Sequence, residues 1–350
     1  MIFFFKENRY FTTLLLLSIL IFWIKKHNQF IEEFYSLGLY QLISSTTLYF
    51  VNRFSISFGD LLYIFIPLII YRIIKKSNST RRGITISSIN IILTIYVLFS
   101  FQWGLNYHRI PIDEKLGDKK TYSESELIKT TKLFIKETNT LQKNITSNDT
   151  TLVNFDDIND ILVEESIKSI RDSEFVINKN LNLRIKKSIF STPLSYMGFG
   201  GYINPITLEA HINYNTPMFN MPTTISHEIA HQLGYSAENE ANFIGIVSSI
   251  NSKNEYIKYS GYALGLKYLL NEVFKRNKNE YELLRSTINK GVLKNYEHAN
   301  QTWLKFKNPL EKYFKKSYNI YLKANNQTKG IESYNLVVNL LINNYSNPEF

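Results

Sequence analysis

The sequence predicts an α+β chain, mostly helical, in which amino-terminal transmembrane helices precede a domain with a small antiparallel sheet and a helical carboxyl-terminal part. Long apolar runs flanked by basic residues fill the first hundred positions. A Gly-rich segment and an alternating stretch then break the helical periodicity between residues 193 and 214. Directly after them, His227-Glu228-Ile229-Ala230-His231 sits on a helix with one apolar face. At 350 residues the chain can build a sizeable core. It has no cysteine, which excludes disulfides and thiolate metal sites, so any metal must be held by histidine and carboxylate. The formal charge of +10 comes from dispersed lysines without a basic stripe, and nucleic acid is not expected as a partner.

The membrane part is expected over residues 1–103. Residues 11–24, FTTLLLLSILIFWI, are flanked by Lys6 and Arg9 before and Lys25 and Lys26 after. No small-residue cleavage site follows, so the segment reads as a retained anchor, spanning about residues 11–25. Runs at 58–74 and 84–103 form a second and a third span, separated by KKSNSTRRG, whose four positive charges mark a cytoplasmic loop. The amino terminus then lies inside, and residues 104–350 form a domain on the extracytoplasmic side of the cytoplasmic membrane. Residues 28–57 mix aromatic residues with Glu32, Glu33 and Arg53 and read as helices lying on the outer surface.

Beyond Trp103, Ser123 and Glu126 are spaced as a capping box ahead of Leu127, Leu133, Phe134 and Leu141. A second helix is expected over 157–171, with an Asn-rich loop at 144–150 between the two. LNLRIKKSIF, 181–190, reads as a strand and PLSYMGFGGYINP, 193–205, as a turn region. TLEAHINY, 207–214, alternates, with Thr207, Glu209, His211 and Asn213 on a polar face. Residues 255–345 read as several helices without a motif of known chemistry.

The helix around His227 carries the chemistry. Pro222 suits its first turn, and Ile225, Ile229 and Leu233 make one apolar stripe. His227 lies about 200 degrees round from Ile225, so both histidines leave the stripe and share a face, as two imidazoles must to bind one zinc ion. Gly234 can end the helix, after which Glu238 or Glu240 supplies a third ligand. Glu238 is favoured because Asn242 follows one turn later, placed to hydrogen-bond a liganding histidine. Glu228 is the expected catalytic residue, a general base toward a zinc-activated water that then passes the proton to the leaving amine. Tyr196, His211, Tyr259 and Tyr262 are candidate donors to the oxyanion, and His108 and His298 read as surface histidines.

Together with the three spans, WGLNYHRIP (103–111), LSYMGFGGYINPITLEAHIN (194–213), HEIAHQLGYSAENEANF (227–243), YSGYALGLKYLL (259–270) and YLKANNQTKGIESYNLVVNLL (321–341) resemble the bacterial domain-of-unknown-function family 3810. That resemblance implies a membrane-anchored zinc peptidase whose carboxyl-terminal hundred residues belong to the same unit as the His227 helix. The chain departs from the family's pattern at Leu208-Glu209-Ala210-His211, so no role for His211 follows from it. HExxH followed by a Glu-x-x-x-Asn pair is also similar to the glutamate-type zincins. The likeness supports Glu238 with Asn242, while the short interval from His231 keeps Glu240 open. In zincins an edge strand beside the helix pairs with an extended substrate, and 207–214 resembles such a strand. The expected partners are a peptide or protein substrate and the lipid bilayer, and the expected cofactor is Zn2+. The alternative is a catalytically silent envelope scaffold or sensor on a zincin-like fold.

Overall fold

Each apolar run of the amino-terminal third becomes a helix. The computed structural model describes residues 9–76, 80–117, 121–155 and 159–346; Lys6, residues 77–79 of the basic loop and positions 157–158 of the expected second helix lie outside the described residues. The chain divides into two compact units, one of residues up to Ile110 with Asn204–Glu209, the other of Pro111–Ile203 with the chain from Ala210 onward.

In the first unit, α1 (Arg9–Ile24) is followed by α2 (Asn28–Val51), whose central stretch Ile31–Leu39 widens into a π-helix. Next come α3 (Phe58–Lys76) and α4 (Arg81–Gln102), the latter capped by the Thr80 hydroxyl, which accepts from Gly83 N at 3.2 Å. Among the described residues α4 alone is long and apolar enough by itself to cross a membrane; α1 qualifies only together with α2, from which it is bent by 104°. α3 carries Asp60, Arg72, Lys75 and Lys76 among its apolar residues. Leu16, Phe22, Leu68 and Ile92 are 56–65% exposed, an outward apolar surface on all three helices of the expected spans.

The segment 28–57 does not simply lie on a surface. Glu32 is buried and receives Arg109 Nε at 3.1 Å, Arg109 Nη2 at 3.0 Å and Ile110 N at 3.2 Å. The fork geometry satisfies both carboxylate oxygens, the condition under which a buried ion pair is tolerable. One turn on, Ser36 donates to Asn106 Oδ1 at 2.8 Å and Tyr35 to the Phe101 carbonyl at 2.8 Å.

The second unit is built from α5 (Ile112–Lys115), α6 (Glu124–Thr146), α7 (Asn159–Asp172), β1 (Ile185–Lys187), α8 (Ser191–Met197), β2 (Gly201–Ile203), β3 (Ala210–Ile212), α9 (Met221–Gln232), α10 (Glu238–Ile250), α11 (Glu255–Arg276), α12 (Lys278–Ser286), α13 (Lys290–Leu304), α14 (Glu311–Ala324) and α15 (Val337–Ser346). The capping box forms as the sequence predicts, Ser123 Oγ accepting from Glu126 N and Glu126 accepting from Ser123 N. α9, α10 and α11 pack successively, α6 lies against α11, and Ile225, Ile229, Phe243, Ile246, Leu266 and Phe134 close the core between them at 0% exposure.

The sheet differs from the expected one. Its order is β1-β3-β2, with β1 parallel and β2 antiparallel to β3, so it is mixed. Only three residues of the 207–214 run are strand, and that strand is central, with both edges occupied. The alternation misleads because the polar side chains are buried: Glu209, His211 and Asn213 are all 0% exposed. Leu208 takes φ +55, which ends any extended run, and Asn204 Oδ1 accepts from Ile206 N and Thr207 N in an Asx turn.

The loop 204–209 belongs to the first unit, where Glu209 caps α3 by accepting from Phe58 N and Gly59 N. Asn204 Nδ2 donates to Gly59 O at 3.2 Å, and a Cβ on Gly59 would stand 2.8–2.9 Å from the Asn204 and Thr207 side chains. Replacing Glu209 by Ala leaves the buried Gly59 amide and the part-buried Phe58 amide without their anionic acceptor and should cost about 1–3 kcal/mol. Thermal unfolding of the full chain in detergent checks this, and an unchanged midpoint would show the cap to be dispensable.

Candidate metal centre

The position of the site follows from how α9 ends. Ile225, Ile229 and Leu233 are buried at 0–5% exposure, so His227 and His231 leave the helix on another face, their rings 4.7 Å apart. Gly234 adopts φ +89, a conformation natural to glycine, and closes a Schellman turn: Gly234 N donates to His231 O and Tyr235 N to Ala230 O. This turn brings the Tyr235 carbonyl within 2.7 Å of His231 Nδ1. With Nδ1 as the donor to this carbonyl, Nε2 is the nitrogen left to meet another partner.

Three residues after Tyr235, α10 begins with Glu238. Its Oε2 lies 3.3 Å from His227 Nε2 and 3.7 Å from His231 Nε2, with all three side chains between 5% and 13% exposed. The three atoms thus converge as ion-pair partners. A tetrahedral zinc ion with bonds of about 2.0–2.1 Å spaces its ligand atoms by about 3.3–3.4 Å. The donor set and its spacing fit such an ion.

The choice between Glu238 and Glu240 has a structural basis. Glu240 Oε1 accepts from Ile112 N at 2.8 Å, at the start of α5, while Glu238 faces the histidines. α9 and α10 approach closely enough that a Cβ on Gly245 would stand 3.0 Å from Thr223 O and 3.1 Å from His227 N. Asn242 does not play its expected part. It is buried with Nδ2 unpartnered and His227 Nδ1 makes no hydrogen bond, so the Tyr235 carbonyl is the residue that orients a histidine.

Glu228 stands beside this group, a ligand atom from each of His227, Glu228 and His231 lying within 4.8 Å of the others. Its Oε2 is buried without a hydrogen-bond partner. A Cβ on Gly201 of β2 would come within 2.6 Å of Glu228 Oε1, so glycine there makes room for the carboxylate. Burial pushes the Glu228 carboxyl up to about 7, with the two histidines opposing and Glu238 adding to the rise. Burial alone would lower the His231 imidazole, but the Glu238 carboxylate beside it, with Glu228 and the Tyr235 carbonyl, raises it to about 9. For Glu238 burial works upward, yet the two histidines outweigh it and hold the carboxyl well below its usual range.

The expected oxyanion donors are dispersed. Tyr196 is 45% exposed and packs edge-on against Phe306, and Tyr259 donates to Asn295 Oδ1 at 2.9 Å within the core. Tyr262 packs on Phe134, and His211 is buried with its ring stacked on Tyr202 at 4.4 Å. His298 is exposed as expected, but His108 is half-buried in the first unit. Tyr318 of α14, which the sequence reading passed over, donates to Glu238 Oε1 at 2.6 Å, and Gln327 Oε1 accepts from Glu238 N at 3.4 Å. No local pattern marks Tyr318, which follows Glu238 by 80 positions.

The chain is mostly helical, with a small mixed sheet and a His-Glu-His group of which Glu228 and His231 are buried and His227 partly exposed. Residues 35–342 match the family described as protein of unknown function (DUF3810), and the chain belongs to it. No curated protein and no solved structure matches the chain.

The charge state of the site predicts a pH dependence. Below about pH 9 the His231 imidazole holds a proton that a cation at Nε2 must displace. Adding Zn2+ to metal-stripped protein at pH 7 should release about one proton per ion from His231, and affinity should rise with pH up to about 9. Titration calorimetry in buffers of different ionisation enthalpy measures the release; pH-independent affinity would contradict it. Gly234→Ala, placing a Cβ at φ +89, should cost about 1 kcal/mol or more and weaken metal binding by disturbing the Tyr235 carbonyl.

Proposed function

We propose that this chain is a membrane-anchored zinc metallopeptidase with a zincin-like catalytic unit on the extracytoplasmic side. The observation that carries the reading is the convergence of His227 Nε2, His231 Nε2 and Glu238 Oε2, 3.3–3.7 Å from carboxylate to imidazoles, with Glu228 alongside. Those three residues would hold Zn2+, which when bound supplies a Lewis acid that polarises a carbonyl and acidifies water. Glu228 takes the proton of the attacking water and delivers it to the leaving amine. Burial places its proton affinity near neutral pH, where a general base exchanges protons most effectively.

Two features favour a peptide substrate. β2 is an edge strand, antiparallel to β3, and its Gly201 abuts Glu228. An extended peptide adding to the outer edge of β2 would pass the base, the role expected of 207–214 before that run proved central. The family match over residues 35–342 covers α3, α4 and the His-Glu-His group together, which supports reading the apolar helices and the site as one unit. The membrane assignment, with three spans near α1, α3 and α4, rests on the exposed apolar surfaces of these helices and the basic residues that flank them.

Glu228→Gln is the direct test. It should leave zinc stoichiometry, read by elemental analysis, unchanged and lower peptide hydrolysis by at least about 100-fold. Hydrolysis retained at the level of the unaltered protein would remove Glu228 as the base, and absence of stoichiometric zinc from the purified chain would remove the metal mechanism.

A further inference from the structure

We propose that Tyr318 is a positioning residue of the metal centre, fixing Glu238 so that it presents a single oxygen toward the two imidazoles; the proposal rests on the metal-binding reading of the site. A carboxylate can bind a cation through one oxygen or both, and a chelating pair would occupy the position that water or substrate needs. In this chain the two oxygens are differentiated. Oε1 accepts the Tyr318 hydroxyl at 2.6 Å, the length of a charge-assisted O–H···O bond, while Oε2 faces both Nε2 atoms.

Tyr318 is itself held. Its ring meets Phe199 edge-on at 5.0 Å and Tyr321 at 5.9 Å, and Leu322, one turn along α14, is fully buried and anchors the same face of the helix. The chain just beyond α14 reinforces the contact, since Gln327 accepts from the backbone N–H of Glu238. The carboxylate and the amide of one residue are thus both fixed from the carboxyl-terminal segment. This gives α14 a place in the site that its sequence does not announce. A hydroxyl on the outer oxygen of a ligating carboxylate restricts rotation about its last bond, which is how supporting hydrogen bonds raise metal affinity.

The test compares Tyr318→Phe with Tyr313→Phe, an exposed position on the same helix, in the full chain, using Zn2+ in competition with a chromophoric chelator and the visible absorption of the Co2+-loaded protein. Tyr318→Phe should lower Zn2+ affinity roughly 10-fold to 100-fold. It should also shift the Co2+ bands and leave the melting of the metal-free chain in place, whereas Tyr313→Phe should change none of these. In a Glu238→Ala background Tyr318→Phe should bring no further loss, because the carboxylate it orients has gone. Unaltered affinity and Co2+ spectrum in Tyr318→Phe would overturn the assignment while leaving the metal centre standing, as would an equal further loss in the Glu238→Ala background. An unaltered chain that binds neither Zn2+ nor Co2+ overturns the metal reading and this proposal with it.

Discussion

The second unit is organised around the meeting of one buried carboxylate with two imidazoles. Glu238 Oε2 lies 3.3 and 3.7 Å from their Nε2 atoms. A carboxylate buried without such partners costs on the order of several kcal/mol, enough to matter against the few kcal/mol by which a domain is stable, and the two histidines outweigh that penalty. Gly234 and its turn fix His231, the Gly245 contact fixes α10 against α9, and Tyr318 and Gln327 hold Glu238 in place. Four separate devices hold this local arrangement.

The first unit applies the same electrostatics differently, because its buried charges are satisfied internally. Glu32 is fully engaged by the Arg109 fork and the Ile110 amide, and Glu209 by the two amides that open α3. Both arrangements tie distant parts of the chain: 77 positions separate Glu32 from Arg109, and 151 separate Phe58 from Glu209. These directional contacts add to the buried apolar residues of the unit, among them Ile31, Tyr40, Leu48 and Trp103, and fix which parts of the chain meet.

How legible these features were depends on whether their cause is local. The facing of His227 and His231 follows from 3.6-residue geometry, and the end of α9 from Gly234, both within one stretch of sequence. The capping box of α6 was legible for the same reason. Glu238 and Glu240 both fall in the first turn of α10, and what separates their fates is the amide of Ile112, 128 positions away. The 207–214 run deceived because period-2 alternation reports a half-buried strand only when polar residues meet water. Here Glu209 meets the first turn of α3, and His211 and Asn213 lie in the interior, so the alternation carried no information about exposure. Tyr318, one of 24 tyrosines, acquires its place only through tertiary packing.

Protonation and cation binding are two ways to compensate the Glu238 carboxylate. Burial opposes a proton on His231, but the carboxylate beside it outweighs burial and raises that imidazole to about 9. A cation would meet the three side chains from one point, and the spacing of 3.3–3.7 Å from carboxylate to imidazoles is near the edge of a tetrahedron about a zinc-sized centre. Glu228 adds a second buried carboxylate next to the same point, and glycine at 201 makes room for it.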